Sequence, residues 1–189
     1  MSYCSYIQNN PSELPDYLLN KHYHDNQYGF PIESDDELFG RFILEINQAG
    51  LSWTLMLRKQ ATFRIAYDDF SIETIAAYDE KDRQRLLLDP GVIRNRLKIN
   101  AAIVNAQKIL ELKKEYGSFK SWLDTNRGLT KDDWIRLFKK TFKFTGGEIV
   151  NEFLMSTGYL PGAHDNDCPV YKSIVAKFSH ELHRAAAAD

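Results

Sequence analysis

Apolar residues recur at the three- and four-residue spacing of an α-helix along nearly the whole chain, while strict period-two alternation is hard to find anywhere in it. That patterning predicts an all-α fold. The clearest boundary is Ser34-Asp35-Asp36-Glu37, which reads as a capping box: the serine accepts an early backbone N–H and the glutamate reaches back. The helix it opens runs to about Ala49 and stops at Gly50. A second covers roughly Ser52 to Tyr67, and a third starts near Ser71 or Thr74. Asp89-Pro90-Gly91 then makes a tight turn between a helix over 81–88 and a long one from about Asn95 to Tyr116, because proline fixes φ and glycine frees it. Shorter helices are expected over 119–124, 131–140 and 147–157. After a loop to Pro169 a last helix passes Phe178 to about Arg184, and the alanine run 185–188 frays.

The chain has 189 residues, 43% hydrophobic and 26% charged, which suits one globular domain or two tightly joined lobes. No apolar run approaches the ~18 residues of a membrane span, and the N-terminus lacks the basic and apolar regions of a secretory signal. A cytoplasmic location without a membrane partner is therefore expected. With a net charge of −2, a nucleic acid would have to be met by a local basic patch, not by the field of the whole molecule. The two cysteines, Cys4 and Cys168, lie far apart and make a poor disulfide pair in a reducing compartment.

Four constellations carry chemistry. On a wheel at ~100° per residue, Leu38, Phe42, Ile46 and Ala49 form an apolar arc with Glu45 at its margin. A carboxylate there either accepts hydrogen bonds inside a pocket or keeps its head in water at the edge of the face. Cys4, His24, His164 and Cys168 are the residue types of a Cys2His2 zinc site, yet only His164 and Cys168 are close in sequence, and a free buried cysteine is the ordinary alternative. The turn Asp89 to Arg94 can converge backbone amides on a phosphate, with Arg94, Arg96 and Lys98 following and a second basic run over 136–143, or it can be a plain connection beside a solvated face. Tyr23, Tyr28 and Trp53 can stack on a base turned out of a duplex, or belong to the core.

Taken in order, several blocks resemble the DNA-3-methyladenine glycosylase I family. They are Cys4, Tyr23-His24-Asp25-Asn26 with Gly29, Gln48-Ala49-Gly50-Leu51-Ser52-Trp53, Gly91-Val92-Ile93-Arg94, Phe142-Lys143-Phe144 with Gly146, and His164 with Cys168. They span nearly the whole chain. The resemblance implies a helix-hairpin-helix DNA glycosylase fold of two lobes: a hairpin lobe over roughly 30–145, and a zinc-clipped lobe joining roughly 1–29 to 146–189. It implies one structural zinc per chain, held by Cys4, His24, His164 and Cys168. It makes Glu45 the catalytic carboxylate, Tyr23, Trp53, Tyr6 and Tyr28 the base-binding walls, and Gly91, Val92, Arg94 and Lys98 the DNA grip.

The activity so implied is hydrolysis of the N-glycosidic bond of 3-methyladenine in alkylated double-stranded DNA, by a monofunctional monomer with no nucleotide cofactor. The stretch 101–120 contains no aspartate, and Asn95 stands where a lyase lysine is sought; both fit a monofunctional branch. The chain departs from the family pattern at Ile46, at Asn20 where a tyrosine is expected, and at Tyr6 and Tyr28 where tryptophans are expected. Further departures are Lys59-Gln60-Ala61 and Leu97. The alternative is a non-catalytic, zinc-stabilised protein of the same fold that recognises damaged DNA.

Overall fold

In a computed structural model that describes residues 2–182, every element of regular structure is helical, and no strand occurs among the described residues. The helices are α1 (Tyr3–Asn9), α2 (Pro15–Asn26), α3 (Asp35–Gln48), α4 (Trp53–Ala66), α5 (Ile72–Ala76), α6 (Glu80–Leu88), α7 (Arg96–Tyr116), α8 (Phe119–Thr125), α9 (Lys131–Thr141), α10 (Gly147–Ser156) and α11 (Pro169–Leu182). The all-α expectation holds, and helices after Ser34 fall within a few residues of their expected bounds. Arg184 and the alanine run 185–188 lie outside the described residues.

Two helices precede Ser34 where the apolar period gives no sign of them. Their signals are local: Ser2 caps α1 by accepting from the Ser5 amide, and Pro15 opens α2, where its missing N–H costs nothing. The face that α2 buries consists of Tyr17, Asn20, Tyr23 and His24, so no aliphatic stripe marks it.

Helix α3 runs through the centre, with every residue from Leu38 to Asn47 buried. One side packs into an aromatic cluster, the Phe42 ring lying 5.6 Å from Phe138, 5.3 Å from Phe142 and 5.1 Å from Phe153. Each such ring contributes on the order of 1.5–3 kcal/mol by leaving water. The acidic first turn ties other elements to α3. Asp35 accepts from the Phe119 and Lys120 amides and so caps α8, while Asp36 accepts from the Ile72 amide that opens α5. Ser34 accepts from the Glu37 amide at 3.4 Å, but Glu37 does not close the capping box; its carboxylate takes the Arg64 guanidinium of α4 instead, at 2.6 and 2.8 Å. A charged donor outcompetes a backbone N–H for that carboxylate.

At the other end α3 stops at Gly50, whose φ of 83° favours glycine, and Ser52 caps α4 by accepting from the Leu55 amide. Between α4 and α5 the residues Asp68, Asp69 and Phe70 all take left-handed φ values of 47°, 55° and 61°. This turn drives the Phe70 ring against Gly40 of α3, where a Cβ would meet the ring carbon Cγ at 2.7 Å. Gly40→Ala is therefore expected to overpack the junction and cost about 1–3 kcal/mol. Urea denaturation with an unchanged slope would record the loss.

Candidate active site and metal centre

The end of α2, the C-terminal half of α3, the start of α4 and the middle of α10 enclose a cavity of about 290 Å³, a size suited to a small planar ligand. Its walls are Tyr3, Tyr23, Tyr28 and Trp53, and its polar lining is Glu45, Gln48 and Glu152. Tyr23 lies 5.1 Å from Trp53 and 5.6 Å from Tyr28, ring centre to ring centre. Three of the four rings, Tyr23, Tyr28 and Trp53, and the carboxylate Glu45 therefore come from the sequence-predicted set.

Glu45 is 3% exposed, which settles the choice between pocket and edge left open by its wheel position. Burial is the main force on it and pushes its carboxyl up to about 8. The Arg41 charge and the nearby Ser156 hydroxyl draw the value down, and the Glu152 carboxylate raises it. Arg41 sits one turn earlier on α3, donates from Nη1 to the Tyr23 hydroxyl at 2.6 Å and lies 4.9 Å from that ring's centre.

The structure places the remaining predicted residues unevenly. Tyr6 does not line the cavity; its ring stacks on Tyr3 with planes 8° apart, and Tyr3 forms the wall. The Tyr3 hydroxyl donates to Asn20, and Asn20 in turn donates to Thr54 of α4, so the pair fills the corner beside the cavity. Lys98 does not reach the surface. It is 5% exposed, and its Nζ donates to the Asn47 and Ala49 carbonyls, both at 2.8 Å, closing the end of α3 that a regular helix leaves unpaired. Nor is the Gly91 amide free, because it donates to the Asp89 carboxylate at 2.6 Å. Lys59 and Thr62 of α4 donate to the Pro90 and Gly91 carbonyls, so glycine serves there for close approach. The Val92 side chain is buried, Arg94 is exposed, and the amides of Ile93 and Arg94 have no hydrogen-bond partner among the described residues. Tyr3, Arg41 and Glu152 were not singled out by the sequence, and Gln48 appeared there only as the first residue of a motif; the position of Arg41 one turn before Glu45 offered a signal.

Beside the cavity Cys4, His24, His164 and Cys168 converge, all buried, with their ligand atoms within 4.8 Å of one another. The Sγ of Cys4 lies 3.3 Å from His24 Nε2 and 3.5 Å from His164 Nδ1, and the two nitrogens are 3.2 Å apart. A tetrahedral ion holding sulfur at ~2.3 Å and nitrogen at ~2.05 Å sets those edges at roughly 3.5 and 3.3 Å, so the group fits a metal. The outer ring nitrogens are also engaged: His24 Nδ1 with Asp25 at 2.7 Å, and His164 Nε2 with the Tyr28 carbonyl at 2.7 Å. Such partners fix which nitrogen faces a metal. The Asp165 amide donates to the Cys4 sulfur, while burial pushes that thiol up to about 11, a cost that a bound cation reverses.

Among the described residues no helix is long and apolar enough to cross a membrane. The model of the methyladenine glycosylase family matches residues 15–134. The DNA-3-methyladenine glycosylase 1 of Escherichia coli (strain K12) is 30% identical over 190 residues, which cover 90% of this chain and 97% of that protein. The DNA-3-methyladenine glycosylase of Haemophilus influenzae is 30% identical over 166 residues, covering 78% and 89%. The 3-methyladenine DNA glycosylase I of Staphylococcus aureus, solved to explain 3-methyladenine recognition, superposes with a TM-score of 0.72 at 30% identity, over 84% of this chain and 93% of that one.

A carboxyl raised to about 8 is protonated in the folded protein and ionised in the unfolded one between its ordinary value and that point. Its contribution to stability is therefore whole below about pH 4.5 and is lost as pH rises toward 8. Glu45→Gln is expected to match wild type in thermal stability below about pH 4.5 and to exceed it increasingly as pH rises toward 8, by on the order of 1–4 kcal/mol. Melting curves that stay parallel at every pH would place the carboxylate in water.

Proposed function

This chain belongs to the methyladenine glycosylase family, and from that premise we propose that it hydrolyses the N-glycosidic bond of 3-methyladenine in alkylated double-stranded DNA, leaving an abasic site. The observation that carries the reading is the buried Glu45 carboxyl opening into an aromatic cavity of purine size. A protein that only bound distorted DNA would gain nothing from so costly a group.

Methylation at N3 leaves the adenine positively charged, so its bond to the sugar is weak before any protein touches it. The bond's electron pair stays with the base, the positive charge passes to the sugar, and water adds there. The protein must turn the nucleotide out, hold the base and exclude competing contacts. Tyr23, Tyr28 and Trp53 enclose the base faces and edges. Glu45 accepts from the exocyclic amine; the arriving cation draws off the proton that burial leaves on the empty site, and the carboxylate then favours the charged base. The indole N–H of Trp53 is shielded without a partner, a donor left for a ligand in this wall. No aspartate lies in the stretch 101–120, and the weakness of the bond removes the need for one.

The tetrad suits one zinc per chain as a structural ion. With four protein ligands no coordination position is left for water, so zinc would supply cohesion between α1, α2 and the turn before α11, and no chemistry. The proposed partition has a hairpin lobe over roughly 30–145 and a clipped lobe over roughly 1–29 and 146–189. The turn between α6 and α7 grips a phosphate through the Ile93 and Arg94 amides and the Arg94 side chain, with the basic run 136–143 adding general attraction. We take the protein to act as a cytoplasmic monomer.

Purified protein incubated with methylated DNA is expected to release 3-methyladenine, and Glu45→Gln to release it roughly 10- to 1000-fold more slowly in single turnover, on the order of 1–4 kcal/mol. Equal rates would remove Glu45 from the chemistry. Metal analysis is expected to find one zinc per chain, and chelation to lower the melting temperature sharply because the ion closes the ends of the fold. Metal-free protein with an unchanged melting temperature would overturn the zinc assignment.

A further inference from the structure

We propose that the groove between α2, α3 and α4 holds, beyond the cavity of Glu45, a second site that binds a small phosphate- or sulfate-type oxyanion on the buried Arg41 guanidinium. The inference goes beyond the glycosylase reading and does not depend on it.

Along that groove Tyr23, Glu45 and Trp53 line the first cavity, and Gln27, Arg41, Gln60 and Arg64 line another of about 360 Å³. In each case the residues come from α2 or its C-cap, from α3 and from α4, so the two cavities lie in series with Tyr23 and Arg41 between them. Arg41 is 6% exposed, yet of its guanidinium N–H groups only one, on Nη1 toward the Tyr23 hydroxyl, has a hydrogen-bond partner among the described residues. It makes no ion pair there within 4.0 Å. None of its nitrogens is among the shielded atoms that lack a partner, and Arg41 lines the second cavity and not the first, so its unpaired donors open into the second. The half-buried side-chain amides of Gln27 and Gln60 likewise have no partner among the described residues. One carboxylate belongs to this lining, that of Glu37, which is exposed and already takes the Arg64 guanidinium at 2.6 and 2.8 Å. Asp69, also exposed, stands 3.9 Å from Arg64.

A buried guanidinium held by one bond to a neutral hydroxyl is not compensated for its lost hydration. Glu45, one turn along α3, does not supply the counter-charge at neutral pH, because burial pushes its carboxyl up to about 8 and keeps it protonated. The other deeply buried cation of this region is treated differently: Lys98 donates to two carbonyls at 2.8 Å. Arg41 instead faces a cavity whose two guanidinium groups and one carboxylate leave a net +1, and whose free donors come from α3, from α4 and from the cap of α2. Donors converging from several elements suit an anion with oxygens on all sides, and charge-assisted hydrogen bonds are the strong ones. A phosphodiester within a duplex carries a sugar on each side and cannot bring its oxygens down to so deeply buried a group. The ligand is therefore a free oxyanion or a terminal monoester.

The probes are inorganic phosphate and sulfate, titrated calorimetrically against sodium chloride at the same ionic strength. Wild type is expected to show a saturable site with a Kd of roughly 0.1–10 mM. Gln60→Leu removes one donor and is expected to weaken binding roughly 3- to 30-fold. Arg41→Lys keeps the charge but loses the planar fork, and is expected to weaken it roughly 5- to 50-fold. Heats no different from those of chloride, or an affinity unchanged in both variants, overturn the proposal. Wild-type crystals grown with selenate, a sulfate isostere located by its anomalous scattering, give a test that needs no variant to fold. Selenate is expected within hydrogen-bond distance of the Arg41 guanidinium, and crystals that hold it only elsewhere, or not at all, overturn the proposal. At constant ionic strength phosphate is expected to leave the affinity for intact duplex DNA unchanged. If phosphate displaces the duplex, the site takes a phosphate of the DNA backbone and the assignment to a free anion falls.

Discussion

The structure depends on how deeply α3 is buried. A helix enclosed from Leu38 to Asn47 leaves a carboxylate at Glu45 nowhere to go but into the protein, and everything around it is arranged to hold it there. Both ends of the helix are secured by polar groups: Asp35, Asp36 and Glu37 bind α8, α5 and α4, while Lys98 closes the last carbonyls from α7. Helix ends are where backbone groups lack partners, so anchoring them fixes the axis and with it the direction in which Glu45 points. The aromatic cluster behind Phe42 stops the helix from rotating the carboxylate away.

The cavity and the metal-binding tetrad are one construction. Tyr3 precedes Cys4, Tyr23 precedes His24, and the Tyr28 carbonyl accepts from His164 while its hydroxyl donates to Glu152. Three of the four aromatic walls are thus set by the backbone at, or hydrogen-bonded to, a ligand of the tetrad. A shift of that group by a fraction of an ångström would be felt at the rings, because buried side chains have no free volume in which to absorb it.

Much of this was legible in the sequence, for reasons that differ by residue. The bounds of α4 and α7 follow from Ser52 and Asn95, whose side chains accept from the first amides of each helix. Helices α1 and α2 were not legible, because the side they bury carries tyrosine, asparagine and histidine and leaves no apolar period. The tetrad could be picked out by residue type but assigned only through resemblance: His24 and His164 are 140 residues apart, and no spacing rule joins them. Where the sequence misled, a local feature hid a tertiary one. Lys98 stands in a basic run yet is drawn inward by two carbonyls, and Gly91 looks made for a phosphate yet accommodates α4. Glu152 carries no local mark at all; it is a carboxylate on a short helix until the fold turns it toward Glu45.

Helix α4 begins with Trp53 in the cavity wall and, nine residues on, holds the α6–α7 turn through Thr62. At ~1.5 Å per residue that is a rigid span of roughly 14 Å. On the proposed function this helix is a ruler: the distance from the extruded base to the gripped phosphate is set by the regular rise of a hydrogen-bonded helix, whatever the sequence around the lesion. Inserting or deleting one residue in α4 would turn its far end by ~100° and put the two contacts out of register.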